Sequence, residues 1–317
     1  MVAVIVMLAA SPVIVGLAPS SYRLGCVDLG LVVSTLGRVE SLKRLFDSLS
    51  GQLLVGDTLL VVAQRNLSEV EALASVYRSE SMRIIVTTSP PGAARGRNAG
   101  VAALPADRDL LLNFPNDTTW YPPGALQRMR LLPESFLAGA LTVVDENGPK
   151  FVLPEPGAAL TRWTVWSVIE MGILIRRSVF DRIGGFDPEI GTGAPTPWQA
   201  GEATDLLLKL IRAGEQAGFA WQPPSLTVGG ISDPSGLSSA ERRHKLRGYG
   251  RGLGRLVTRW KYPSWWRLAF LGGGLFFGLR NRGTNALTDG WWVFLGRLEG
   301  MLGRTLGPVG TLTAVTR

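Results

Sequence analysis

From residue 28 onward the chain alternates two hydrophobic periods. Runs rich in apolar and β-branched residues at 31–34, 58–63, 83–87 and 110–114 predict strands. Between them, Leu42, Leu45, Phe46 and Leu49 recur at helical spacing over 41–49, and helices are also predicted over 68–78 and 94–103. Strands alternating with helices of this length predict an α/β fold, a mostly parallel sheet covered on both faces.

The texture then changes. Residues 122–130 predict a helix entered through proline, 136–144 a strand, 145–148 a turn, 171–175 a buried strand and 177–183 a short helix. A Gly- and Pro-rich loop, 184–201, leads into a helix over 202–213 with Leu206, Leu207, Leu210 and Ile211 on one side. A loop of that length inside a compact domain is more often functional than idle. The expected organisation is an apolar N-terminal segment (1–27), a main α/β domain (28–235) and a helical, basic, aromatic-rich extension (236–317).

Charge sharpens the last boundary. The net +8 is carried by the tail: residues 241–317 hold 14 Lys and Arg against 3 Asp and Glu, whereas residues 1–240 hold 19 against 22. The tail also contains Trp260, Trp265, Trp266, Trp291 and Trp292, half of the ten tryptophans. Its apolar run 268–279 is 12 residues long, too short to cross a bilayer as a helix. Basic residues beside aromatic ones suit insertion into the surface of one anionic leaflet. The competing reading is a helical hairpin packed on the main domain or on a second subunit. A nucleic-acid partner fits less well, because the tail is rich in Trp, Phe and Gly and the main domain is slightly acidic.

Residues 1–19 carry no charge but are interrupted by Pro12, Gly16 and Pro19. They read equally as a marginal anchor, a packed irregular arm, or residues added by an upstream start codon. The single Cys26 excludes an internal disulfide and a multi-cysteine metal site, and the single His244 excludes a histidine metal cluster. His244 sits among basic residues, where a solvated or anion-facing role suits it better than that of a general base.

Candidate chemistry concentrates where the strand at 110–114 ends in Pro115, Asn116, Asp117 and Thr118. Short oxygen-bearing side chains at a strand end are placed where a sheet opens onto a ligand crevice, although Pro, Asn and Asp also form turns without any catalysis. Upstream, residues 92–100 offer Arg95 and Arg97 as fork-shaped donors for phosphate, with glycines that permit close backbone approach; alone they read equally as a solvated basic turn. No glycine-rich phosphate loop with its lysine, dinucleotide fingerprint or two-histidine zinc helix is present.

Taken in order, Ser34-Thr35-Leu36-Gly37-Arg38 with Glu40, then Ala94-Arg95-Gly96-Arg97-Asn98-Ala99-Gly100, Phe114-Pro115-Asn116-Asp117, Gly184-Gly185-Phe186-Asp187 and Gly201-Glu202-Ala203-Thr204-Asp205 resemble a family 2 glycosyltransferase of the GT-A fold over about residues 28–220. The resemblance implies a Rossmann-like, mostly parallel sheet flanked by helices. It also implies inverting transfer of a sugar from a nucleotide-diphosphate sugar to a glycan or lipid-linked acceptor at the cytoplasmic face of the cell membrane, in polysaccharide and cell-envelope synthesis. Attachment would be peripheral or through the N-terminus, with a homo-oligomer or a partner glycosyltransferase among the expected partners.

By that likeness Thr35, Leu36, Arg38 and Glu40 line the nucleoside pocket, Arg97 lies beside the donor's base and sugar, and Asn116, Asp117 and Thr118 match the place of the acidic metal motif. Gly185, Phe186 and Asp187 approach the transferred sugar, and the segment from Glu202 to Asp205 bears the base. The departures are Ala63, Asn116, Thr118 and Ala203, which stand where members of the family commonly have acids. Asp117 alone gives Mg2+ or Mn2+ a weak site, so weak metal dependence and metal-free transfer both stand. Glu202 and Asp205 remain as candidate bases, each also explained as an ordinary acid near a helix start. A catalytically silent subunit that binds a nucleotide sugar, a glycan or a partner enzyme is the alternative function.

Overall fold

The structure is a computed structural model that describes residues 27–230, 237–280 and 288–307. The expectations for the apolar N-terminal segment fall on residues outside that set, Val27 excepted. The first half follows the predicted alternation: β1 (Leu29–Thr35), α1 (Val39–Leu49), β2 (Thr58–Ala63), α2 (Leu67–Tyr77), β3 (Ile84–Thr88), α3 (Ala93–Ala103) and β4 (Leu111–Asn113). β1 and β2 are buried along nearly their whole lengths, as the unbroken apolar runs require of central parallel strands. Leu42, Leu45, Phe46 and Leu49 form the buried stripe of α1.

The second half is built from shorter pieces: β5 (Thr119–Trp120), α4 (Ala125–Arg130), β6 (Ala138–Ala140), β7 (Thr142–Asp145), β8 (Gly148–Pro149), β9 (Ile173–Arg176), α5 (Arg177–Arg182), α6 (Glu202–Arg212), β10 (Phe219–Trp221) and β11 (Thr227–Gly230). The main sheet runs β10-β6-β9-β4-β1-β2-β3, with β9 antiparallel to both of its neighbours and the other pairs parallel. A second sheet runs β5-β11-β7-β8. The single strand expected over 136–144 is therefore two. At Leu141 the chain leaves one sheet for the other, and the Leu141 amide, donating to the Gly172 carbonyl (2.7 Å), makes the last contact in the β6–β9 register before β7 begins. Apolar residues run through the junction, so the hydrophobic pattern does not mark it.

β1 lies between β2 and β4, so successive connections leave its carboxyl end in opposite directions. Ligands of open α/β sheets bind at such a switch point, and both Thr35 and the Asn116–Thr118 segment that follows β4 stand there. α3 lies unusually close to the sheet. A Cβ at Gly96 would stand 2.2 Å from Ser34 Oγ, and one at Gly100 2.4 Å from a Val32 methyl. These two glycines serve helix-to-strand packing rather than approach to a phosphate, which corrects the expectation for 92–100.

Beyond residue 236 the described chain is helical: α7 (Ser239–Arg259), α8 (Ser264–Leu275), α9 (Phe277–Arg280) and α10 (Asp289–Leu302). α7 and α10 meet backbone to backbone through glycines on both helices: a Cβ at Gly254 would stand 2.2 Å from the Arg297 carbonyl oxygen, and one at Gly300 2.1 Å from that of Arg251. Buried Glu299 closes the pair by accepting from Arg247 (Nε, 2.9 Å) and Arg251 (Nε, 2.7 Å). The hairpin packs on the α/β domain through α7, the arrangement held above as the alternative to leaflet insertion. Among the described residues no helix is long and apolar enough to cross a membrane.

Candidate functional site

Arg97 is the centre of the polar cluster at the crevice. It lies on the first turns of α3, only 2% exposed, with its guanidinium over the Phe186 ring (5.5 Å). Its Nη2 donates to Asn116 Oδ1 (2.9 Å) and Glu170 Oε1 (3.3 Å), and Nη1 lies 3.5 Å from Glu202 Oε1. One guanidinium thus joins the strand end after β4 to the head of α6 across the crevice. Nε and Nη1 have no hydrogen-bond partner, which is costly for buried donors.

Glu202 opens α6 behind Gly201 and is 5% exposed. Burial and the neighbouring Glu170 carboxylate push its pKa up to about 7, against the opposing pull of Arg97 and of the Thr192 amide. The carboxylate fits only because residue 191 is glycine: at φ +115° a Cβ there would be strained and would also stand 2.9 Å from the Glu202 carboxyl carbon. Ala93 donates to the Thr192 carbonyl (2.9 Å), so the predicted long loop is tied to the start of α3.

Asp205, the other candidate base, is hydrogen-bonded through one oxygen only. It is fully buried; Oδ1 accepts from Trp260 Nε1 (2.8 Å), and Oδ2 lies 3.4 Å from Lys209 Nζ, which itself donates to the Gly185 carbonyl (2.8 Å). These contacts fasten the C-terminal end of α7 to α6. Asp187 is likewise engaged, accepting from Arg259 of α7 and from the Glu189 amide. Phe186 packs edge-on against Phe114 (4.9 Å between centroids), and Asn98 clamps its backbone, donating to its carbonyl (2.8 Å) and accepting from its amide (3.0 Å).

Asp117 is 3% exposed beneath the crevice floor. Oδ2 accepts from Thr35 Oγ1 (2.9 Å) and Arg38 Nε (2.9 Å), and Oδ1 accepts from Arg38 Nη2. The expected metal ligand is thus met by a guanidinium. Both oxygens have protein donors, Asn116 spends its amide on Arg97 and Glu170, Thr118 is uncharged, and among the described residues no group of three or more His, Cys, Asp or Glu could hold a cation. The residues present do not fit a divalent metal.

Thr35 is thus a floor residue, whereas Leu36 and Glu40 are exposed at the rim around α1. Ala63 is buried at the end of β2, in register with Thr35 and Thr88, and leaves no carboxylate there. Trp198 sits under the Arg255 guanidinium (5.6 Å), between the loop and α7. Glu170 was not singled out from the sequence. Its signal was a lone acid inside the apolar run Val168-Ile169-Glu170-Met171, where an unpaired charge does not belong.

No family model matches the sequence. A protein of Bacillus subtilis (strain 168), described as the uncharacterized glycosyltransferase YwdF, is 24% identical over 249 residues, covering 74% of this chain and 87% of the relative. Among solved structures, residues 1–349 of S. aureus TarS in complex with UDP-GlcNAc align with TM-score 0.53 at 12% identity, over 87% of this chain and 92% of that one. The mannosyltransferase PcManGT from Pyrobaculum calidifontis, in complex with GDP-Man and Mn2+, aligns with TM-score 0.54 at 11% identity, over 88% of each chain. The fold is therefore that of the GT-A glycosyltransferases, a Rossmann-like core with a C-terminal helical extension.

Proposed function

We propose that the protein is an inverting glycosyltransferase that uses a nucleotide-diphosphate sugar as donor and a hydroxyl of a glycan or lipid-linked molecule as acceptor. The observation that carries this reading is Glu202: a buried carboxylate with a pKa of about 7, held at a helix head by Arg97 directly across from the strand end bearing Asn116 and Asp117. A general base works best when its pKa lies near the working pH. The acceptor oxygen attacks the anomeric carbon and passes its proton to Glu202. The bond from that carbon to the diphosphate oxygen breaks, its electron pair leaves with the diphosphate, and the configuration inverts. Asp205 suits this role less, being fully buried with one oxygen accepting from Trp260 and the other beside Lys209.

Thr35, Leu36, Arg38 and Glu40 surround the donor's nucleoside in this reading, and Arg97 orients its sugar. The outward stripe of α8 and α9 supports action at a membrane surface. Trp265, Leu268, Leu275, Phe276 and Leu279 are exposed, while Trp266 and Phe270 turn inward, stacked on each other at 5.0 Å. The protein then works peripherally at the cytoplasmic leaflet, in synthesis of the cell envelope.

The test is a screen of nucleotide sugars for binding, followed by transfer assays on Glu202→Gln and Asp205→Asn. Glu202→Gln should retain donor binding and lose transfer by about 10²-fold or more, whereas Asp205→Asn should lower the melting temperature and keep turnover in the folded fraction. Wild-type rates from Glu202→Gln would defeat the base assignment. Saturable donor binding with no transfer by the wild-type protein would identify a silent binding subunit instead.

A further inference from the structure

We infer that Arg38, clasped to Asp117, takes the part of the divalent cation and carries the charge of the leaving diphosphate, so that donor binding and transfer need no metal. The inference rests on the transferase reading above and deepens it at one point: what meets the diphosphate.

Arg38 stands at the head of α1, three residues after β1 ends, on the crevice side of the switch between β1 and β4. Its Nε and Nη2 form a side-on fork with the Asp117 carboxylate, which fixes the plane of the guanidinium. Among the described residues Nη1 has no protein partner, and the side chain is 59% exposed although the acid beneath it is 3% exposed. A fork anchored on one edge leaves its other N–H groups directed outward, the geometry that suits a phosphate oxygen.

The charge of the pair suits the role. An arginine on one carboxylate presents no net charge to a ligand but keeps its positive charge on the outer side. The neutral residues at Asn116 and Thr118 suit this arrangement. With a guanidinium in place of the metal, further carboxylates would leave the floor negative and repel the diphosphate. Arg97 cannot substitute, because it is buried behind Asn116, Glu170 and Glu202. A fixed donor aimed at the leaving oxygens supplies the stabilisation that a preorganised site provides.

The experiment measures binding of UDP, GDP, ADP, CDP and dTDP to the full chain by calorimetry, in EDTA and in Mn2+, for the wild-type protein, Arg38→Gln and Arg38→Lys. At least one nucleoside diphosphate should bind equally, within about twofold, in EDTA and in Mn2+. Arg38→Gln should weaken it at least about tenfold, and Arg38→Lys, which keeps the charge and loses the fork, should lie between. Thermal midpoints close to wild type show that the variants are folded. Binding that strengthens tenfold or more with Mn2+, or undiminished binding by Arg38→Gln, overturns the inference and leaves the transferase reading standing. Failure of every diphosphate to bind under both conditions overturns both.

Discussion

Glu202 combines three conditions that rarely coincide in one side chain: burial, a neighbouring carboxylate and a single shared cation. The first two favour the protonated form and outweigh the third. Because the pKa in the folded protein, about 7, lies above the ordinary value of 4.5, the associated stability is fully present below pH 4.5 and is lost as pH rises through 7. A glutamine is neutral throughout and escapes this loss, so Glu202→Gln should melt a few degrees above the wild-type protein at pH 8 and alongside it at pH 4. Equal midpoints at pH 8 would mean that the carboxylate is solvated and uncoupled from Glu170. The same residue would then be a poor base, so stability and activity are linked at this position.

At the scale of elements, α6 and α7 explain each other. α6 carries Glu202 toward Arg97 and Asp205 toward Trp260, so the end of α7 holds the helix that bears Glu202. α7 is held in turn by α10, through glycine-lined backbone contact and the Glu299 ion cluster. Burial alone would raise the Glu299 pKa, but hydrogen bonds from Arg247 and Arg251 bring it below the ordinary value, which identifies a charge paired in the fold. Gly300→Val should force the Arg251 carbonyl away and destabilise the hairpin by ~1–3 kcal/mol. Hydrogen exchange should report this as faster exchange in α7 and α10 before the central strands respond. Unchanged protection of α7 would show that the α/β domain alone holds it.

For the whole molecule, the basic tail and the apolar stripe occur in one unit. The inner face of α8 is locked onto the main domain by the aromatic cluster of Trp166, Tyr262, Trp266 and Phe270, with Tyr262 and Trp266 stacked at 4.5 Å. The outer face, with Trp265 and Leu268, is exposed. Replacing Trp265 with Ala and Leu268 with Ser together should weaken binding to phosphatidylglycerol vesicles at least about tenfold, since each large side chain contributes ~1.5–3 kcal/mol on leaving water. Soluble-acceptor transfer should persist. Vesicle binding unaffected by the double variant would move the contact elsewhere on the chain.

The sequence by itself determined the alternation of strands and helices through β4, because buried parallel strands and amphipathic helices each leave a hydrophobic period that survives without tertiary context. It also located Asp117 and Glu202, since an acid at a strand end or helix head is a local feature. The sheet change at Leu141 was hidden by uniform apolarity, and Glu170 was hidden because its partners come from Arg97 and Asn116, more than fifty residues upstream. Only the tertiary structure decided that Arg38 would cover both Asp117 oxygens, that Asp205 would hold Trp260, and that α7 would brace the site. Each of these depends on a hydrogen bond between distant segments, and residue type fixes what a side chain can donate or accept but not which partner the fold brings within reach.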